Sequence, residues 1–269
     1  MDTVFTPPSA TAFEACAGIV AAATYVLVGA AVLAGAPRDI RARLFFATAL
    51  ASVAPYVVPF LIWWRGPQAV LAMPVMMAVA FSLMAGSLTL FHFTQVFPRR
   101  RPWIRAHGRW LAAGYAAVPL LVAVLVPVFT VLAAGLSASD PERIGAVSAG
   151  FAEGLVLVLL VVGLPAVFLF GVVLPCAAIY SLFKTSRAAA GSAEAARLTT
   201  QWILVSQMAG GVLAVLVIPV LRVVAPTGPW VTIAALLLVA FSLLMPVAFA
   251  AGVWKYRVLD LEVERSAAQ

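Results

Sequence analysis

Residues 155–181 read LVLVLLVVGLPAVFLFGVVLPCAAIYS, an unbroken apolar run without a single charged side chain. A helix needs about 20 mostly apolar residues, each rising 1.5 Å, to cross a hydrocarbon core ~30 Å thick. This run meets that length alone. Working outward from it, six further stretches qualify, at 13–34, 44–64, 69–97, 111–134, 202–224 and 230–253. Turn and charge clusters separate them, among them Arg65-Gly66-Pro67, Pro98 to Arg109 and Pro226-Thr227-Gly228-Pro229. The composition agrees: of 269 residues, 64% are hydrophobic and 10% charged, and the mean hydropathy is +1.09. Soluble domains carry roughly 25% charged residues, so a chain this apolar needs lipid against its exterior. The expected fold is an all-α, polytopic seven-helix membrane bundle. It comprises an extracytoplasmic segment 1–12, the bundle 13–253 and a short cytoplasmic tail 254–269.

Orientation follows from the basic residues. Of 17 Lys and Arg, 14 fall in alternate connections on one side, around Arg38, Arg99, Lys184 and Lys255. The positive-inside rule places that side in the cytoplasm and the N-terminus outside. The charge of +7 is thus a topology signal with added attraction for anionic lipid, and no nucleic-acid partner is expected. Trp63, Trp64 and Trp230 fall at outer span ends and Trp103, Trp110, Trp202 and Trp254 at inner ones, where amphipathic rings favour the headgroup layer. Residues 1–12 carry Asp2 and no basic residue, unlike the start of a signal peptide. Ser139-Asp140-Pro141-Glu142 and Ser192-Ala193-Glu194 read as helix starts outside the bilayer. The location expected is a bacterial inner membrane, crossed several times.

Several chemistries lack their residues. A retinal Schiff base needs a lysine within a span, but Lys184 and Lys255 lie in cytoplasmic connections. Haem held by two intramembrane histidines fails because only His92 lies in a span, with His107 in a loop. An ion-coupled carrier usually places an acid near mid-membrane, whereas Glu14 and Glu153 occupy outermost turns. Two cysteines, Cys16 and Cys176, make no disulfide framework or metal motif, and no phosphate loop or HExxH occurs. A non-catalytic chain without cofactor or metal is expected.

The polar groups that remain set the candidate sites. His92, with Gln95 and Thr94 beside it, lies ~7–8 Å inside the inner end of span three. Gln207 and Ser206 lie at similar depth on span six, so a His92–Gln207 hydrogen bond is within reach. Such groups either hold helices together, at about 0.6 kcal/mol each, or sense a ligand. Nine prolines within spans favour kinks that can open a pocket for an apolar ligand, which the methionines of span three could help line. Arg99, Arg100, Arg101 and Trp103 are candidates for contact with lipid headgroups or an acidic partner surface. Beyond span seven, Lys255, Tyr256, Arg257 and Asp260 form a candidate output tail. It reads as a helix through Trp254, Val258 and Leu261, or as a strand through Leu259, Leu261 and Val263.

Two phrases resemble a known family. Leu90-Phe91-His92-Phe93-Thr94-Gln95-Val96-Phe97-Pro98-Arg99-Arg100-Arg101 resembles the close of span three in the seven-helix N-terminal input region of bacterial sensor histidine kinases. Trp254-Lys255-Tyr256-Arg257-Val258-Leu259-Asp260 is similar to the phrase leading from that region into its cytoplasmic modules. The resemblance implies a sensor-like scaffold, here without an output domain, that couples a membrane or extracytoplasmic signal to a cytoplasmic partner through helix seven. A structural accessory subunit of a larger membrane complex is the alternative, and a transporter of an apolar solute a weaker one. Membrane lipids, other membrane proteins or a second copy of the chain are the partners expected.

Overall fold

A computed structural model describes residues 12–66, 73–97, 102–137, 149–188, 194–213, 217–224 and 229–254. The structure is 96% helical and, among the described residues, has no strand. The helices are α1 (Ala12–Gly35), α2 (Ile40–Ala51), α3 (Val53–Arg65), α4 (Met73–Val96) and α5 (Pro102–Ser137). Then come α6 (Ala149–Val158), α7 (Leu164–Phe168) and α8 (Leu174–Ala188), joined by π-helical turns at Leu159–Gly163 and Leu169–Val173. α9 (Glu194–Val212), α10 (Ile218–Val224) and α11 (Pro229–Trp254) complete the described chain.

Among the described residues, six helical segments are long and apolar enough to cross a membrane: Ala12–Gly35, Ile40–Arg65, Met73–Val96, Ala106–Val131, Gly154–Thr185 and Trp230–Trp254. They match six of the seven expected spans. The remaining one, 202–224, is represented by α9 and α10 on either side of residues 214–216, which lie outside the described residues. The proposed helix start at 139–142 also lies outside them, as do Ser192 and Ala193 of the second one, and α9 is described from Glu194.

Local chemistry sets the breaks. Asp39 caps α2 by accepting the Arg41 N–H at 2.7 Å, and its carboxylate also binds the buried Arg41 guanidinium. The second span divides at Ser52 because Pro55, lacking an N–H, cannot bond the Ala51 carbonyl four residues earlier. Gly66 closes α3 with φ +82°, a conformation that suits glycine, while its N–H bonds the Ile62 carbonyl at 2.9 Å. His107, expected in a loop, lies instead at a bend within α5 (φ −120°, ψ 18°). Pro102 sits in the first turn of that helix, where its fixed φ suits a start, so helix begins well before the apolar run.

The packing forms a closed ring. α1 lies against α2 and α3, α2 and α3 against α4, α4 against α8, α8 against α9, α9 against α11, and α11 against α1. α5 stands outside the ring, on α4 and the first π-helical turn. Near one end the ring is filled by Phe45, Phe93, Phe97 and Phe249, all buried. Their rings meet in stacked, tilted and edge-on pairs with centroids 4.2–6.1 Å apart. The exterior is apolar: Leu157, Leu160, Val161, Leu164, Val167 and Phe168 are each more than half exposed. In water such a surface would be untenable, so the chain is a multi-pass membrane protein. Trp63, Trp64 and Trp230 are exposed at the end where α1 begins, and Trp110, Trp202 and Trp254 at the aromatic end, in two belts.

Candidate functional site

The ring encloses a cavity of about 780 Å³. Its walls come from α1, α2, α3, α4, α8, α9, α10, α11 and the second π-helical turn, and they are mostly apolar. Glu14 lines one end. Leu90 and Met245 line it about one turn before Phe93 and Phe249, so the aromatic cluster forms a floor. Pro55, Pro59 and Pro175 stand in the lining, which ties the space to interrupted helices.

Two of the polar groups at this cavity serve carbonyls that proline leaves without donors. Ser82 Oγ on α4 donates to the Ala51 carbonyl, the acceptor released by Pro55. Tyr25 Oη on α1 donates to the Ser242 carbonyl at 2.7 Å. That acceptor lies four residues before Pro246 and would otherwise be unpaired. Ser206 Oγ on α9 donates to the neighbouring Phe241 carbonyl, also at 2.7 Å. In a bilayer no water can replace such donors, so each bond joins two helices, and the first two also satisfy a carbonyl that proline leaves without its N–H partner. Tyr25 further stacks on Tyr56 at 5.6 Å between centroids.

Of the polar site residues singled out in the sequence, Ser206 and Gln207 line the cavity and the others that are described fall elsewhere. His92 Nδ1 lies 3.1 Å from the Tyr115 hydroxyl on α5, with the two rings tilted. Gln207 Nε2 is 3.1 Å from Met245 Sδ on α11 and lines the cavity. The expected His92–Gln207 pair is therefore replaced by two separate contacts, because α4 faces α5 and α8 while α9 faces α8 and α11. Gln95 is buried and donates to Ser181 Oγ at 3.2 Å, and Ser181 donates to the Thr94 carbonyl at 3.1 Å, tying α4 to α8. Arg99, Arg100 and Arg101, and the tail with Lys255, Tyr256, Arg257 and Asp260, lie outside the described residues. Trp103 falls in the first turn of α5.

Apart from Ser206, the cavity hydroxyls were missed because each partner pair is remote in sequence: Tyr25 and Ser242 are 217 residues apart. The signal available was a hydroxyl on one span at the depth of a carbonyl released by proline on another. No family model matches the chain, and neither a curated protein nor a solved structure matches it.

Proposed function

We propose that the chain is a sensor-like membrane subunit in which a ligand in the central cavity biases the last helix and, through it, a cytoplasmic partner. The observation that carries this reading is the cavity's contact with α11: Ser242 and Met245 line it immediately before Pro246, the proline within that helix, where a kink is favoured. A volume of about 780 Å³ falls within the range of small-molecule sites, and mostly apolar walls with a few placed polar groups are usual for them. A ligand that packs better against one geometry of the kink shifts its population by that differential affinity. The resemblance of 90–101 and 254–260 to sensor input regions favours the same use of the last helix. In this reading seven spans cross a bacterial inner membrane, with the N-terminus outside and the basic connections in the cytoplasm. No catalytic step and no resident cofactor is assigned.

The test is cross-linking in native membranes from photoreactive residues placed at 255–265. Capture of one cytoplasmic protein, with a yield altered by filling the cavity, is expected. Recovery of no cytoplasmic protein under any condition overturns the reading. The broad apolar face of 155–173 favours the second reading, an accessory subunit packed against other membrane proteins. Co-purification with such proteins in fixed stoichiometry in mild detergent would select it over the sensor.

A further inference from the structure

Of the eight hydroxyl side chains among the described lining residues, seven have already given their proton to a backbone carbonyl. Tyr25, Ser82 and Ser206 donate across to the Ser242, Ala51 and Phe241 carbonyls. Thr48, Ser52, Ser87 and Ser242 donate within their own helices, to the carbonyls of Leu44, Thr48, Leu83 and Leu238. The direction is not ambiguous: a carbonyl has no proton, so the hydroxyl must be the donor in every pair. A hydroxyl has one proton and two lone pairs, so what these oxygens still offer is acceptance. The eighth hydroxyl, Tyr56, is hydrogen-bonded with the Ser242 and Tyr25 side chains, and Gln207 directs one of its two Nε2 protons to Met245 Sδ, so few donors remain against many acceptors. Glu14 adds a carboxylate, an acceptor when ionised, and among the described lining residues none is Lys, Arg or His.

An acceptor-rich, mostly apolar space discriminates by headgroup. A carboxylate would enter without a counter-charge, and a ketone or quinone would bring further acceptors to a site short of donors, each left desolvated and unpaired. We infer that this cavity takes a chain-like amphiphile whose polar group donates hydrogen bonds, an alkyl alcohol or an alkylammonium. The alkyl chain fills the apolar walls, and the O–H or N–H groups meet the serine and tyrosine oxygens or Glu14. This assignment rests on the reading of the cavity as the ligand-receiving part, and it adds the chemical class.

The experiment uses the full chain in lipid nanodiscs and follows its thermal midpoint by tryptophan fluorescence. The probes are decan-1-ol, decylammonium, decanoate and 2-undecanone, titrated at matched membrane loading. Decan-1-ol or decylammonium should raise the midpoint saturably by a few degrees, with decanoate and undecanone far weaker. Gly210→Leu projects a side chain toward Leu238 and Ser242, which a Cβ at Gly210 would meet at 3.8 and 3.9 Å, and should abolish the rise. Gly210→Ala should keep it. Gly171→Leu, at a lining position where a Cβ meets nothing within 4 Å, is the second filling variant should Gly210→Leu fold poorly. A response to decylammonium alone that Glu14→Gln removes supports the proposal with the head at Glu14; a response to decan-1-ol supports it with the head at the hydroxyls. Undecanone or decanoate acting as strongly, with the same sensitivity to filling, overturns the donor rule but leaves the cavity a ligand site. A saturable response to none of the four, or a rise undiminished in both filling variants, overturns the proposal and the ligand-receiving cavity together.

Discussion

Ser82 and Pro55 behave, on the geometry, as one unit divided between two helices. Proline removes the N–H that would bond the Ala51 carbonyl, and the serine hydroxyl replaces it. Ser82→Ala should then leave a buried carbonyl unpaired and cost about 1 kcal/mol, within the range for such groups. Pro55→Ala restores the missing N–H, so in that background the same serine change should cost close to nothing. A double-mutant cycle on unfolding in mixed micelles reads the difference, and additive costs would refute the pairing. His92 gives a second case. Its bond to the Tyr115 hydroxyl joins α4 to α5 outside the ring. His92→Gln keeps a donor and an acceptor and should be tolerated, whereas His92→Leu should cost about 0.6–1 kcal/mol in the same assay. Equal stability of both variants would show that the contact contributes nothing.

At the scale of helices, close approach depends on a few glycines. A Cβ on Gly18 would overlap the Tyr56 backbone carbonyl, and backbone cannot swing aside as a side chain can. Gly18→Ala should therefore push α1 from α3 and cost about 1–3 kcal/mol, the usual penalty for overpacking. Gly86→Ala adds a Cβ at an ordinary 3.6 Å from Ala51 Cβ and should be nearly neutral, as thermal unfolding of the two variants would show. How much of the elements was legible in sequence follows from the same local character. Asp39, Gly66 and the long apolar runs act on residues a few positions away, so the boundaries of α1, α4 and α11 fall within four residues of expectation. The divided second span was less legible, since a proline near a span's middle announces a kink but not whether the helix breaks. The π-helical turns were not foreseen either. Each ends two residues before a proline, at Leu159–Gly163 before Pro165 and at Leu169–Val173 before Pro175. In both, the next N–H bonds the carbonyl five residues back, Leu164 to Leu159 and Leu174 to Leu169. Widening a turn accommodates the amide that proline cannot supply. The cavity depended on all of these bends together, and a summed geometry of six helices is invisible to any single window of sequence.

At the scale of the molecule, the ring explains why span order and spatial order diverge. Four of its six sides join spans that follow one another in sequence, yet α5 is left outside, so the chain leaves the ring after α4 and re-enters at α8. The side between α8 and α11 is closed by α9, which makes the region 194–224 decisive for both the cavity and the topology. Ser206 and Gln207 reach α11 from α9 at the middle of the ring, so α9 enters the bundle rather than lying along its surface. Continued through α10, the segment would reach the opposite face and make seven crossings. It carries Arg222 near its end. Reporter fusions at 190 and at 227 test the crossing directly, because they flank this segment alone. If it crosses, the fusion at 190 should report cytoplasm and that at 227 the opposite side. Reports from the same side would reduce the crossings to six and bring the two ends of the bundle to one face of the membrane. A substitution sharpens the outcome: Ser206→Leu removes the donor to the Phe241 carbonyl without lowering hydropathy. It should leave the sidedness at 227 unchanged while lowering the midpoint of unfolding by an amount equivalent to about 1 kcal/mol, since insertion follows hydropathy and closure of the ring follows the bond.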